Sequence, residues 1–543
     1  MSDNKRRIFP PSEALKVFRN SGYRSAATAI AELIDNSIEA NSKDIDIIAI
    51  SEKIIVKRSS SLHVTKIAVL DNGDGMPFEV LDNSLAIGKG TRLGDQADSL
   101  GKYGFGLKGS SISQARRVEV YSWQNVDWTG KNVQTEEVNM LSLDVDKVYE
   151  SDENELEEVV KQKLPSEVVN NFGYKIKKHP SGTLVVWANL DRLKFKRVIA
   201  LVNALNTELC RLYRFFINGV DFGHKTNITI QDVNPSGVNS TVLQANDPMY
   251  LMSPNNLVDY ENEATNELID RFPVPVEYEN EKGEVCKSQY EMVLSIAKPE
   301  IQKLSGSHKV GVHYGKNSGI TFVRAGREIG FGNYGYTSSS EPRDRWWGME
   351  VRFGPELDEL FGVPINKQSV DHVEKISDDF TEGLLEEELD LHDKFRKQLS
   401  HLISGHIRDL MKTISSRGEG ALSKSGKKDE VKVLVNQELV KQTSTKTSSK
   451  AHAESLNEDQ KIAEIISAIL DDDSSLTADE AGVIAEEIKN YEVDILTNEW
   501  EGFGFLGLKL VGNSAIGQIN RNHPFYDKFW KKLKDDKDKR GYR

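Results

Sequence analysis

Cysteine is nearly absent: Cys210 and Cys286 are the only two in 543 residues. That excludes a disulfide framework and a four-cysteine zinc site. Long apolar runs are missing too. The strongest, such as residues 45–50, fall far short of the roughly 18 residues that cross a membrane, so no membrane partner is expected. The opening Met-Ser-Asp-Asn-Lys-Arg-Arg has no apolar signal core behind it, which points to a soluble, cytoplasmic protein. Positive charge is in deficit, with 70 Lys+Arg against 84 Asp+Glu and a net charge of −14. Attachment to nucleic acid by bulk charge is thereby excluded, leaving only local basic patches. The 11 histidines show no metal-ligand spacing, and neither a Ser/His/Asp constellation nor an internal repeat is visible.

What is present suits a well-packed protein of two to four domains, 38% hydrophobic and 28% charged. Residues 25–40 have helical periodicity, with Ile30, Leu33, Ile34 and Ile38 as the apolar stripe. Strand-like pieces follow at 45–50, 53–56 and 64–70, then at 118–123 and 182–187, with an acidic helical segment near 152–163. One α+β domain with a mostly antiparallel sheet accounts for this, closed by a helix and a strand over about 190–218. A polar connector is expected around 234–256. A second unit spans about 258–416, with strands at 290–297, 319–324 and 349–353 and a long amphipathic helix carrying Leu391, Phe395, Leu399, Leu402, Ile403 and Leu410. Residues 417–450, rich in Ser, Thr and Lys, read as a linker. Residues 451–543 recover helical patterns at 459–470 and 478–489, a hairpin at 504–520 and a short helix through 525–533. The tail ends on a charged run over 534–543 with no packed element to close it, the pattern expected of a fragment.

Three local signals carry chemistry. In Glu32-Leu33-Ile34-Asp35-Asn36, helical spacing puts Glu32 and Asn36 on one face. The amide oxygen suits a hard cation such as Mg²⁺, and the carboxylate suits orientation and deprotonation of a water. Read alone, the same spacing fits a solvated acidic face. Asp71-Asn72-Gly73-Asp74-Gly75-Met76 ends a strand in a turn whose glycines let a ligand approach the backbone. Asp71 could accept a hydrogen bond from an exocyclic amine such as that of adenine. An ordinary Asp/Gly turn is the plain alternative, and a calcium loop fits poorly because Gly73 and Gly75 fall where side-chain ligands are needed. Gly101-Lys102-Tyr103-Gly104-Phe105-Gly106 precedes a helix, where successive backbone N–H groups could cradle an anion. Its order is neither the dinucleotide fingerprint nor a P-loop, and alone it also fits a flexible glycine loop.

Taken together, in this order, the three resemble the ATP-binding boxes of the GHKL superfamily: gyrase B, the ninety-kilodalton heat-shock chaperones, histidine kinases and MutL. Glu32–Asn36 resembles the first box, Asp71-x-Gly73-x-Gly75 the second, the glycine loop the lid, and Gly182-Thr183 the closing box. The strings GKYGFGLKGSS and SGTLVVWANL are most similar to the MORC branch, strongly over about 20–230 and moderately over 260–415. The resemblance implies a Bergerat-type α/β sandwich at 1–232, a ribosomal-protein-like transducer at 258–416, a linker and a small C-terminal α/β region. It implies Glu32 as general base, Asn36 as the Mg²⁺ ligand, Asp71 on the adenine amine with Gly73, Gly75 and Met76 around the base, and Thr183 supporting that contact. Asp35 belongs to the same cofactor-binding set. Lid amides from Gly101, Lys102, Tyr103, Gly104, Phe105, Gly106 and Leu107 would wrap the phosphates, with Lys108 beside them and Lys89 and Arg92 as weaker candidates. Phe105 stands where MORC relatives commonly have Asn, which places one polar lid contact in doubt.

In the second unit, Val363-Pro364-Ile365-Asn366-Lys367-Gln368-Ser369-Val370 resembles the transducer loop whose lysine reaches the γ-phosphate. Lys367 taken without that context is a surface lysine. With it, the lysine stabilises and senses the transferring phosphoryl group. The implied function is a Mg²⁺-dependent ATPase whose ATP state closes a homodimeric clamp, with DNA as the enclosed partner and contacts at 417–450 and 531–540. The alternative is an ATP-switched, chaperone-like module acting on protein partners with little hydrolysis. No phosphoacceptor-histidine helix precedes the boxes, and no cleavage-tyrosine domain is evident, so neither a histidine kinase nor a type II topoisomerase is expected. The cysteine-rich zinc module of many eukaryotic MORC proteins is also missing, which points to a prokaryotic relative.

Overall fold

Four alanines open residues 26–31, and alanine has the strongest helix propensity of any residue. Ser25 and Thr28 close a reciprocal capping box in front of them, so the helix Ala26–Glu39 starts at a fixed point. The computed structural model describes residues 11–20, 23, 25–56, 59–86, 106–151, 156–222, 225–280, 282–337, 341–364, 366–376, 389–419, 466, 477, 493–498, 506–511, 514–520 and 526. The chain divides into two compact units, Met1–Leu422 and Ser423–Arg543. No described helix is long and apolar enough to cross a membrane.

The first unit contains an eight-stranded sheet of β1 (Asp44–Val56), β2 (Ser59–Asp71), β3 (Ala115–Trp123), β4 (Glu137–Asp144), β5 (Val160–Lys163), β6 (Gly182–Leu190), β7 (Asn227–Asn234) and β8 (Gly237–Val242). Their order is β5-β4-β3-β6-β2-β1-β7-β8. Every neighbouring pair is antiparallel except β1 and β7, which run parallel. Alternate side chains of a strand face opposite sides. Ile47 and Ala49 therefore join a core with Ile30, Ile34, Leu201 and Leu205, while Ile48 and Ile50 join another with Val168, Phe172 and Ile176. Burial on both faces is why residues 45–50 are apolar with little alternation.

Several boundaries differ from the sequence expectation. The pieces at 45–50, 53–56 and 64–70 are two continuous strands, because a bulge at Ile50/Ser51 carries the pairing past polar Ser51 and Glu52. In place of an acidic helix at 152–163, a helix spans Val145–Ser151 and β5 takes Val160–Lys163. The stretch 190–218 holds two helices, Val198–Leu212 and Arg214–Asn218, with the strand following as β7. The expected connector at 234–256 includes β8, an edge strand.

The second lobe of this unit is a five-stranded sheet: β9 (Asn266–Glu279), β10 (Val285–Ala297), β11 (Ile320–Arg324), β12 (Arg327–Gly332) and β13 (Trp347–Phe353), ordered β12-β11-β13-β10-β9. The helix Leu391–Glu419 contributes Phe395, Leu399, Ile403, Ile407 and Leu410 to its core. A two-residue turn links β11 to β12, with Ala325 and Gly326 at φ 47° and 83°, the positive-φ pair that suits a tight hairpin. A Cβ on Gly326 would sit 2.7 Å from Phe222 Cβ and 3.2 Å from Phe216 Cζ, so this turn is wedged into the first lobe.

In the second unit, β14 (Val493–Asn498), β15 (Leu506–Val511) and β16 (Ser514–Asn520) form a sheet ordered β14-β16-β15. β15 and β16 pair as the expected hairpin, and β14 adds a parallel edge. Of the helices expected at 459–470, 478–489 and 525–533 only residues 466 and 526 are described, and the linker beyond residue 419 lies outside the described residues.

Candidate active site

The Ala26–Glu39 helix and the end of β2 meet through polar contacts. Ser37 Oγ donates to Asp71 Oδ2 at 2.9 Å, and the Gly73 N–H donates to Oδ1 at 2.9 Å. Asp71 also stands opposite Thr183 across the β2–β6 ladder. Burial pushes the Asp71 carboxyl up to about 6, against the pull of the Gly73, Ser37 and Thr183 hydrogen bonds. Glycine is required in the loop that follows. A Cβ on Gly73 would lie 2.6 Å from the Ala40 carbonyl oxygen, and Gly75 has φ +67° with the Trp123 carbonyl 2.2 Å from where a Cβ would stand. The Met76 N–H donates to Ser122 Oγ at 2.7 Å, and Ser122 Oγ lies 3.4 Å from Thr183 Oγ1. Asp71, Gly73, Met76 and Thr183 are thus gathered at one end of the central strands β2 and β6.

One turn of the helix away, Glu32 is only 4% exposed. Its carboxyl is raised by burial, opposed first by the positive charge of Lys367 and then by that of Arg327. Gly106, the first residue of the helix Gly106–Gln114, presses on the same group: a Cβ there would fall 2.3 Å from Glu32 Oε2. Lys367 sits at φ 48°, 6% exposed, with its N–H bonded to the Pro364 carbonyl at 2.8 Å. A lysine drawn from the second lobe and a carboxylate from the first therefore act on each other.

Asn36 is exposed, and its side chain has no hydrogen-bond partner among the described residues. A single exposed, unengaged amide oxygen fits Mg²⁺, which keeps most of its ligands as water and substrate phosphates. Among the described residues no cluster of three His, Cys, Asp or Glu side chains could hold a metal by itself.

Two of the residues expected at the cofactor have partners within the protein. Asp35 is 2% exposed and uses both oxygens inside the protein: Oδ1 lies 2.7 Å from the Tyr213 hydroxyl, and Oδ2 pairs with Arg327. Tyr213 reaches it from the first lobe and Arg327 from the second. Lys108 is buried and donates to the Ala86 carbonyl, and burial lowers its ammonium to about 8. Leu107 packs against the first-lobe core. Gly101, Lys102, Tyr103, Gly104 and Phe105, with Lys89 and Arg92, lie outside the described residues. Residues that sequence reasoning missed are Ser37, Ser122, Tyr213 and Arg327. Only Arg327 had a legible signal, its place at an Ala-Gly hairpin turn, and nothing local reveals its partners.

Residues 23–175 match the family model described as histidine kinase-, DNA gyrase B-, and HSP90-like ATPase. No curated protein matches the chain. Among solved structures, the N-terminal domain of a DNA repair protein aligns at 14% identity and TM-score 0.38, over 76% of this chain and 100% of that one. The ATPase and transducer domains of DNA topoisomerase II from Balamuthia mandrillaris align at 10% identity and TM-score 0.32, over 69% and 84%. The B-subunit of the DNA gyrase from Myxococcus xanthus aligns at 11% identity and TM-score 0.33, over 72% and 93%.

Proposed function

We propose that this protein binds and hydrolyses ATP with Mg²⁺, and that its ATP state closes a homodimeric clamp on DNA in the manner of a MORC-type GHKL ATPase. The observation that carries the reading is the buried Glu32 carboxylate, set one helical turn from free Asn36 and met from the second lobe by Lys367. Asp71 accepts the adenine amine while Gly73 and Gly75 leave room for the base. Asn36 holds the cation. Glu32, made more basic by burial, takes a proton from the attacking water. Lys367 faces the charge that develops on the transferring phosphoryl group and links its presence to the second lobe. Bound Mg²⁺ supplies neutralisation of the phosphate oxygens. Few protein–phosphate contacts are needed to retain an enclosed duplex, which reconciles a DNA partner with the acidic chain.

ATP turnover and ATP-dependent dimerisation of wild type, Glu32→Ala and Asn36→Ala test this. Glu32→Ala is expected to bind ATP and dimerise without turnover, and Asn36→Ala to lose Mg²⁺-dependent binding. Undiminished turnover in Glu32→Ala refutes the assignment. Retention on circular but not linear duplex, with a non-hydrolysable analogue, tests the clamp. No retention even at low salt argues for protein partners instead.

A further inference from the structure

Arg327, the first residue of β12, is 1% exposed. A guanidinium buried that deeply requires anionic partners, and both of its partners lie on the helix of the other lobe. Its Nη1 pairs with Asp35 and stands 3.4 Å from Glu32 Oε1. Glu32 and Asp35 are three residues apart on one helix, so their carboxylates are neighbours and repel unless a cation lies between them. Asp35 is fixed from the other side by the Tyr213 hydroxyl, which also lies 2.6 Å from the Ala31 carbonyl.

The backbone on either side of the arginine is tied to the first lobe. The next residue, Glu328, accepts from Arg211 Nε at 2.6 Å and from Arg214 Nη1 at 2.7 Å, both in the first lobe. The preceding turn is jammed against Phe222 and Phe216 at Gly326. A contact with Asp35 alone would be a structural ion pair. The additional reach to Glu32 sets this arginine apart.

We infer that Arg327 is a positioning residue for ATP hydrolysis: by fastening Asp35 and approaching Glu32 from the second lobe, it fixes the direction in which the Glu32 carboxylate points. This rests on the reading of Glu32 as general base. The base is then aligned only while the β11–β12 hairpin is seated, which makes the seating of the second lobe a condition for turnover. Nucleotide affinity, set within the first lobe by Asp71 and Asn36, is largely indifferent to it.

The experiment measures kcat, KM and analogue affinity for the full chain as wild type, Arg327→Lys, the double variant Arg327→Met/Asp35→Asn, and Glu32→Gln. The double variant removes both buried charges together, so no unpaired ion remains to unfold the protein. Its kcat is expected to fall about 100-fold, the lower range for losing a positioned base, with KM within about threefold of wild type. Arg327→Lys, which keeps the charge, is expected to recover part of that kcat at unchanged KM. Wild-type kcat in the double variant overturns the inference. So does a parallel loss of kcat and affinity that lysine does not relieve, which marks a folding role. Wild type without turnover overturns the ATPase reading and this inference with it. Turnover abolished by Glu32→Gln yet indifferent to Arg327 overturns this inference alone.

Discussion

The site holds two buried carboxylates, Glu32 and Asp71, and they are supported in opposite ways. Asp71 is held by neutral donors from its own lobe, the Ser37 hydroxyl and the Gly73 N–H, and Thr183 across the ladder comes from the same sheet. Glu32 is held by positive charge from the other lobe, Lys367 and Arg327. Burial raises both carboxyls. On the proposed reading, the adenine edge is complete within one sheet-and-helix lobe, whereas the hydrolytic edge exists only when two lobes meet. Binding and turnover should be separable by mutation along that line.

The largest expected effect is at the hydrolytic edge. Lys367→Ala removes the cation first in influence on Glu32 and, on the proposed reading, the one facing the phosphoryl group. Turnover should fall about 10²–10³-fold, the range for losing one preorganised electrostatic contact. Nucleotide affinity should stay within about threefold, because no Asp71 contact involves Lys367. Calorimetric titration alongside steady-state turnover decides it: an affinity loss as large as the turnover loss would erase the division between the two edges.

The adenine edge predicts a pH effect of opposite consequence for stability and for binding. A carboxyl raised from 3.8 to about 6 holds its proton more tightly in the folded than in the unfolded chain. Its stabilising contribution is present below about 3.8 and is lost as pH rises through about 6, a loss of about 3 kcal/mol. ATP binding runs the other way, since the adenine amine needs the ionised acceptor, and should weaken as pH falls below about 6. Asp71→Asn should lose most ATP binding and, relative to wild type, gain stability between pH 4 and 7. Denaturant titrations of both proteins across that range measure the difference. Parallel stability curves would remove Asp71 as a strained, poised acceptor.

How much of this was legible in the residues follows the same division. The helix Ala26–Glu39 and the Asp71 turn were readable because capping, alanine content and glycine placement are local. The β1–β2 boundaries were not, since Ser51 and Glu52 interrupt the apolar pattern while a bulge preserves the pairing. β9 escaped because Pro273 and Pro275 argue against a strand, yet it is an edge strand, where proline is tolerated. β8 is polar and exposed along most of its length, so it lacks the burial pattern that marks a strand. At the site, Glu32, Asn36 and Asp71 stand in motifs whose spacing is itself the signal. Arg327 and Tyr213 act through partners far away in sequence, and Asp35, placed by its motif with the nucleotide contacts, turns to them instead.

The smallest expected effect refines the adenine edge alone. Ser37 Oγ also lies 3.0 Å from the Leu33 carbonyl, so its hydroxyl has a helix acceptor as well as Asp71 within reach. Ser37→Ala removes a donor that holds the Asp71 carboxyl down, leaving burial less opposed. The cost in stability should be about 1 kcal/mol, the usual net value of one such hydrogen bond. ATP affinity at neutral pH should hardly change, since the Gly73 N–H still orients the acceptor. What should move is the acid limb of the binding curve, shifting to higher pH, while kcat at saturating ATP stays as in wild type because Glu32 takes its charge partners from the other lobe. An acid limb that does not move would show that the hydroxyl serves the helix through Leu33 rather than the carboxylate, and that Gly73 alone sets the neutral side of the comparison.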